Sequence, residues 1–261
     1  MATPTRIAGT AVAILLAAQL GACGSSDSPG TQGAAPAPSA PEAVPATQPV
    51  AQRAAPPPPA RVATARAVTP SFSFTAHQLS AGVRKRVTGS SWHRGCPVGL
   101  SGLRYVRMGY WGFDGKAHRG DMIISAGVVA DVRTAFKQLY AKRFPIHRMH
   151  LVDSYGADDF TSIEADNTSA FNCRRATGSS SWSQHAYGRA IDINPIENPY
   201  VYANGTTTHS ASRPYLDRSP YRPGMAVRGR VLVKTFDALG WGWGGRWKPA
   251  RDLQHFSSTG R

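Results

Sequence analysis

Two short stretches hold the residue types that metal-assisted chemistry needs. In "SSSWSQHAYGRAIDINP", residues 179–195, His185 precedes Asp192 by seven positions, with Gly188 between them. The alternation in "RAIDI" predicts a strand that sends Ile191 and Ile193 into the core and turns Ala190 and Asp192 to the other face, where Asp192 lines a surface. Gly188 lets the chain fold back, so a loop imidazole and a strand carboxylate reach one point. One such pair is more often a structural device than a metal site. The segment "GWGWGGRWKPARDLQHFSS", residues 240–258, adds His255 and, three positions earlier, Asp252. In a turn or helix, residues three apart stand about 5–6 Å apart at Cβ, so a base there reaches a water beside His255. Two histidines, one aspartate and an open fourth position make the donor set of a catalytic zinc site; closed structural sites fill all four.

The run Ser183-Gln184-His185-Ala186-Tyr187-Gly188-Arg189-Ala190-Ile191-Asp192, of the form S-x-H-x-x-G-x-A-x-D, followed downstream by Asp252-Leu253-Gln254-His255, resembles the D-alanyl-D-alanine carboxypeptidase and L-alanyl-D-glutamate endopeptidase family of zinc peptidases. The resemblance implies a Hedgehog/DD-peptidase-like α+β domain. It implies Zn2+ held by His185, Asp192 and His255, with Asp252 as general base and then acid. Members often carry Glu where this chain has Asp252, one methylene shorter, which leaves the base's reach open. An upstream arginine neutralises developing charge in the family; Arg174 and its neighbour Arg175 are the candidates, with Arg174 favoured and Arg175 kept as a substrate-binding residue. Ser183 orients a ligand or substrate, since nothing marks a base placed to make it a nucleophile. The implied substrates are peptidoglycan stem peptides, with carboxypeptidase and endopeptidase action both open.

These residues need a framework. "VVADVRTAFKQLYAKRF", residues 128–144, has helical spacing, and "GRVLVKTFDALGW", residues 229–241, reads as a helix stopping at Gly240. "LRYVRMGYWGF" (103–113) and "MHLVDSY" (149–155) read as strands, like "RAIDI". Strands and helices without regular β-α-β alternation predict an α+β fold, a single domain with a small antiparallel sheet and flanking helices over residues 71–261.

Ahead of that domain the composition changes. None of the 24 aromatic residues precedes Phe72, while 12 of the 20 prolines lie at or before Pro70. Such a segment cannot bury enough apolar area to offset its ordering entropy, so residues 23–70 read as a disordered tether. Residues 1–22 read as a signal peptide, and Leu20-Gly21-Ala22-Cys23 resembles a lipobox, which predicts lipidation of Cys23 and anchoring to the outer face of a cell membrane. Export leaves Cys96 and Cys173 as an even pair, read as a disulfide in preference to free thiols or thiolate metal ligands.

Of the formal net charge of +15, residues 1–70 contribute only +2 (four Arg, Asp27 and Glu42), so +13 belongs to the rest. A surface so basic prefers polyanions. For an exported protein these are wall polymers rather than nucleic acid, no motif for which appears. A monomer is expected. His147 and His150 in "FPIHRMH", like His77, His93, His118 and His209, read as surface or core histidines. Trp241, Trp243 and Trp247 read as packing residues, with sugar stacking as the alternative, and Asp158 and Asp159 as loop or capping residues, with support of the site by one of them as the alternative. Two rival functions remain: an inactive, zinc-containing wall-binding module, which has no use for Asp252, and an amidase or glycosidase, the latter needing paired carboxylates across a cleft.

Overall fold

The computed structural model describes residues 70–260. The signal sequence, Cys23 and nearly all of the tether lie outside the described residues. The chain opens with strand β1 (Phe74–Gln78), helix α1 (Ala81–Val87), strands β2 (Leu103–Trp111) and β3 (Ala117–Ser125), and helix α2 (Val129–Ala141). The nine-residue strands β2 and β3 pair antiparallel from Leu103↔Ser125 to Trp111↔Ala117, and β1 adds to the free edge of β2. Helix α2 buries Val132, Ala135, Phe136 and Leu139, the three-and-four spacing that the sequence predicts, in the core shared with β2 and β3.

Next come β4 (Arg148–Met149), α3 (Asp159–Glu164) and β5 (Asn167–Thr168), the two strands being parallel. The strand expected over 149–155 is thus only a two-residue stub. Leu151 and Val152 are both buried, which breaks a period of two, and the chain coils into a 3-10 turn at Val152–Tyr155 ended by Gly156 at φ 66°. The Asp153 carboxylate fixes that turn by accepting from the Ser91 backbone N–H (3.1 Å) and hydroxyl (2.9 Å).

The remainder comprises β6 (Ala190–Asp192), β7 (Tyr200–Val201), α4 (Val231–Asp237), β8 (Gly242–Trp243), β9 (Arg251–Asp252) and β10 (His255–Ser257). Here β10 is the centre of an antiparallel sheet ordered β6-β10-β8, and β7 pairs antiparallel with β9. The helix expected over 229–241 is α4, released by Gly240 at φ 75°. The class is α+β, with the strands spread over two three-stranded and two two-stranded sheets rather than one.

A single apolar core joins these parts. Phe256 of β10 is fully buried against Phe236 of α4, ring centroids 4.6 Å apart. Removing such a ring costs about 3–5 kcal/mol, so Phe256 anchors its neighbour His255 firmly. A smaller cluster around Leu79, Val87, Leu103, Ile123 and Phe171 encloses the Cys96–Cys173 disulfide, whose S–S length is 2.06 Å.

Candidate metal centre and catalytic cleft

His185 occupies a 3-10 turn, Gln184–Tyr187. Ser183 caps it, its hydroxyl oxygen accepting the His185 backbone N–H at 3.3 Å. Gly188 ends the turn at φ 64°, and a Cβ there would lie 2.6 Å from the Ser125 nitrogen, so conformation and space both require glycine. Asp192 closes β6 directly opposite His255 on β10. Its backbone also pairs with Ser169, so both edges of the strand are hydrogen-bonded at that point. Ala190, Ile191, Asp192 and Ile193 are all buried, so the expected surface face of this strand is a second interior.

The three side chains converge. His185 Nε2 lies 3.1 Å from Asp192 Oδ2 and 3.1 Å from His255 Nδ1, and His255 Nδ1 lies 3.1 Å from Asp192 Oδ1. His185 Nδ1 is 2.5 Å from the Ala170 carbonyl, to which it must donate, leaving the Nε2 lone pair aimed into the cluster. Two imidazole nitrogens and a carboxylate within 4.8 Å of one another fit a divalent transition-metal ion. Burial works hardest on Asp192 and pushes its pKa up. The charges and hydrogen bonds of His185 and then His255 outweigh it and hold this carboxyl far below the usual range.

Asp252 closes β9 beside this cluster. Its Oδ1 is buried without a hydrogen-bond partner, and burial, reinforced by the Asp192 charge, pushes its pKa up to about 7. The neighbouring Gly244 is essential to the approach, since a Cβ there would stand 2.6 Å from the Asp252 carbonyl oxygen. Of the other glycines between the tryptophans, Gly242 leaves room for Gly260 and Gly245 for the Trp243 ring. Trp241 and Trp243 are buried, their indole N–H groups donating to Asp131 and to the Leu253 carbonyl, whereas Trp247 lines the cleft with its ring 5.1 Å from that of His255.

The cleft measures about 1040 Å³, and both His185 and Asp252 open onto it. Arg174 lines it, ion-paired with Asp159 at 2.9 Å, while Arg175 faces a different groove. Asp158 and Asp159 both line the cleft; Asp158 also caps α3, as a capping residue would, while Asp159 holds Arg174. Tyr200, which β7 places directly opposite Asp252, carries no local signal in the sequence, since the pairing of β7 with β9 joins segments some fifty residues apart.

The remaining histidines have other partners. His209 pairs with Glu164 at 2.5 Å, His118 with Asp114 at 2.9 Å, and His93 abuts the disulfide, whose bonded sulfurs are no longer thiolate donors. His147 Nδ1 lies 3.1 Å from Asp166 Oδ2, and neither His147 nor His150 joins a cluster of three or more metal-type donors among the described residues. Asp166 in turn lies beside Glu197, both residues being buried, and its charge bears on the Glu197 carboxyl.

A family model described as D-alanyl-D-alanine carboxypeptidase matches residues 177–258. The matched stretch contains His185, Asp192, Asp252 and His255 and supports the resemblance to zinc peptidases of this type; Arg174, Arg175 and both disulfide cysteines precede it. No curated protein and no solved structure matches the chain significantly.

Proposed function

With residues 177–258 matched to a peptidase family, we propose that this chain is a zinc peptidase, of the Hedgehog/DD-peptidase fold type, that hydrolyses peptide bonds in peptidoglycan stem peptides as a carboxypeptidase or an endopeptidase. The observation that carries the reading is the convergence of His185, Asp192 and His255 beside a buried, unpartnered carboxylate oxygen of Asp252 in one open cleft. A zinc ion, which His185, Asp192 and His255 would hold, would supply Lewis acidity. Asp252, with a pKa raised to about 7, takes the proton of the attacking water and returns it to the leaving amine. Arg174, fixed by Asp159, presents a guanidinium to the charge that develops on the scissile carbonyl oxygen. Lipidation at Cys23 and the Pro-rich tether would hold the domain outside the cell membrane, within reach of the wall. A wall-binding module without activity gives no role to a carboxylate kept beside the metal with its oxygen unpaired.

The test separates metal binding from catalysis. Asp252→Asn should retain about one zinc per chain by metal analysis while stem-peptide cleavage falls by about 10²-fold or more, the scale of lost general-base catalysis. Near-wild-type cleavage by this variant would exclude Asp252 as the base.

A further inference from the structure

Adjacent arginines point to opposite sides of one hairpin. Arg175 and Trp182 face each other in an antiparallel bridge, with the Ser183 N–H donating to the Arg174 carbonyl at 3.1 Å and the Ala176 N–H to that of Ser181 at 2.9 Å. The pleat therefore delivers Arg174 to the catalytic cleft and Arg175 to a groove of about 500 Å³ behind it. Trp182 and Gln184 line both, so the two cavities are separated only by this hairpin.

The groove is built of cations and rings. The Arg175 guanidinium lies 3.8 Å from the centre of the Trp182 ring and donates to the Ser180 carbonyl at 2.7 Å, which orders it before any ligand arrives. Arg189, at the entry to β6 and 6.0 Å from the Tyr187 ring, lines the same groove. No Asp or Glu lines it, and neither arginine takes part in an ion pair among the described residues. Other arginines of this domain are matched, as Arg107 is with Asp121, Arg174 with Asp159 and Arg246 with Asp237. Two unmatched guanidinium groups facing one concavity repel each other until an anion lies between them, and the planar guanidinium fork suits a carboxylate.

We infer that Arg175, Arg189 and Trp182 form a second subsite, which takes a free carboxylate of the stem peptide remote from the bond being cut. The inference rests on the peptidase reading, because a peptide held in the cleft reaches the groove by crossing Trp182. Such carboxylates occur in stem peptides either free or amidated, so the subsite would let the protein distinguish the two forms.

A stem pentapeptide whose γ-linked glutamate keeps a free α-carboxyl, and the same peptide with a carboxamide there, test this directly. Wild-type protein should cleave the acid with kcat/KM about 10-fold above the amide, mostly through KM, the size of one charge-assisted contact. Arg175→Gln/Arg189→Gln should bring that ratio to about one. Equal cleavage of the two peptides by wild type, or a ratio unchanged in the double variant, overturns the subsite. Calorimetric titration of zinc-loaded Asp252→Asn protein with both peptides gives an answer independent of turnover: preferential binding of the acid, lost on adding the two Gln substitutions, supports the subsite, and equal binding removes it. Should wild type cleave neither peptide, the peptidase reading fails, and the titration alone decides the subsite.

Discussion

Asp192 and Asp166 are both buried aspartates beside histidine, yet they keep opposite company. Asp192 faces two imidazoles, His185 and His255, each 3.1 Å away, and stays ionised despite its burial. Asp166 faces one half-exposed imidazole, His147, and a second buried acid, Glu197. Burial is the largest influence on Glu197 and the Asp166 charge the next, and together they push its pKa up to about 8. Half-buried Arg218 forms no ion pair with either acid among the described residues, its Nη1 and Nη2 donating instead to the carbonyls of Glu197, Tyr215 and Ala226 and to Asn198 Oδ1. The first cluster is an anion beside two imidazoles, a set that could hold a metal ion; the second is a pair of acids that favours keeping a proton. The company of a buried carboxylate, more than its burial, decides which cation it holds.

Breaking the first cluster should give the largest effect. His185→Ala or His255→Ala should weaken zinc binding by more than ~100-fold, beyond the 10–100-fold typical of residues that merely support a ligand, and abolish cleavage. Metal analysis and peptide hydrolysis on the same preparations check it, and retention of stoichiometric zinc would erase the contrast.

The second cluster predicts a pH effect of intermediate size. Because the folded-state pKa of Glu197 exceeds its ordinary value of 4.5, the folded chain holds a proton that the unfolded chain has released. Its contribution is complete below about pH 4.5 and is lost as the pH rises through about 8. Denaturation midpoints of wild type should decline across this window by ~2 kcal/mol relative to Glu197→Gln, at 1.36 kcal/mol per pKa unit and discounted for the proton that the pair shares. Parallel pH profiles for the two proteins would remove Glu197 as the source.

The smallest effect belongs to His147. With 45% of its side chain exposed, its pair with Asp166 is screened by solvent, and His147→Ala should cost under ~1 kcal/mol by urea denaturation and leave zinc content unchanged. A larger loss would mean that the imidazole, and not the shared proton, holds the acid pair together.

The regular half of the domain is legible in its sequence because the elements are long. Helix α2 occupies nearly the expected span, and β2 runs nine residues from Leu103 as its β-rich composition predicts. The metal-type triad is legible for another reason, since its spacing in sequence forms a recognisable pattern. What escaped is whatever depends on contacts between distant short strands. The coverage of Asp192 on its second side comes from Ser169, and the placement of Tyr200 opposite Asp252 comes from two strands of two residues each. Strands that short offer no period to read. Residues 149–155 show the converse, where β-branched and aromatic residues suggest a strand and the side chain of Asp153 imposes a turn.

The contact of Gly188 with β3 has a consequence for how the protein fails on heating. The Ser125 N–H donates to the Gly188 carbonyl at 2.8 Å, so the turn carrying His185 is bolted to the end of the longest hairpin in the described residues. Elements of two or three residues have little cooperativity of their own, and local opening is governed by the neighbours to which they are fastened. Thermal opening of the site should therefore follow the hairpin: a substitution on β2 or β3 remote from the cleft should shift the temperature at which the His185 turn is lost, and a ligand in the cleft should protect a strand it never meets.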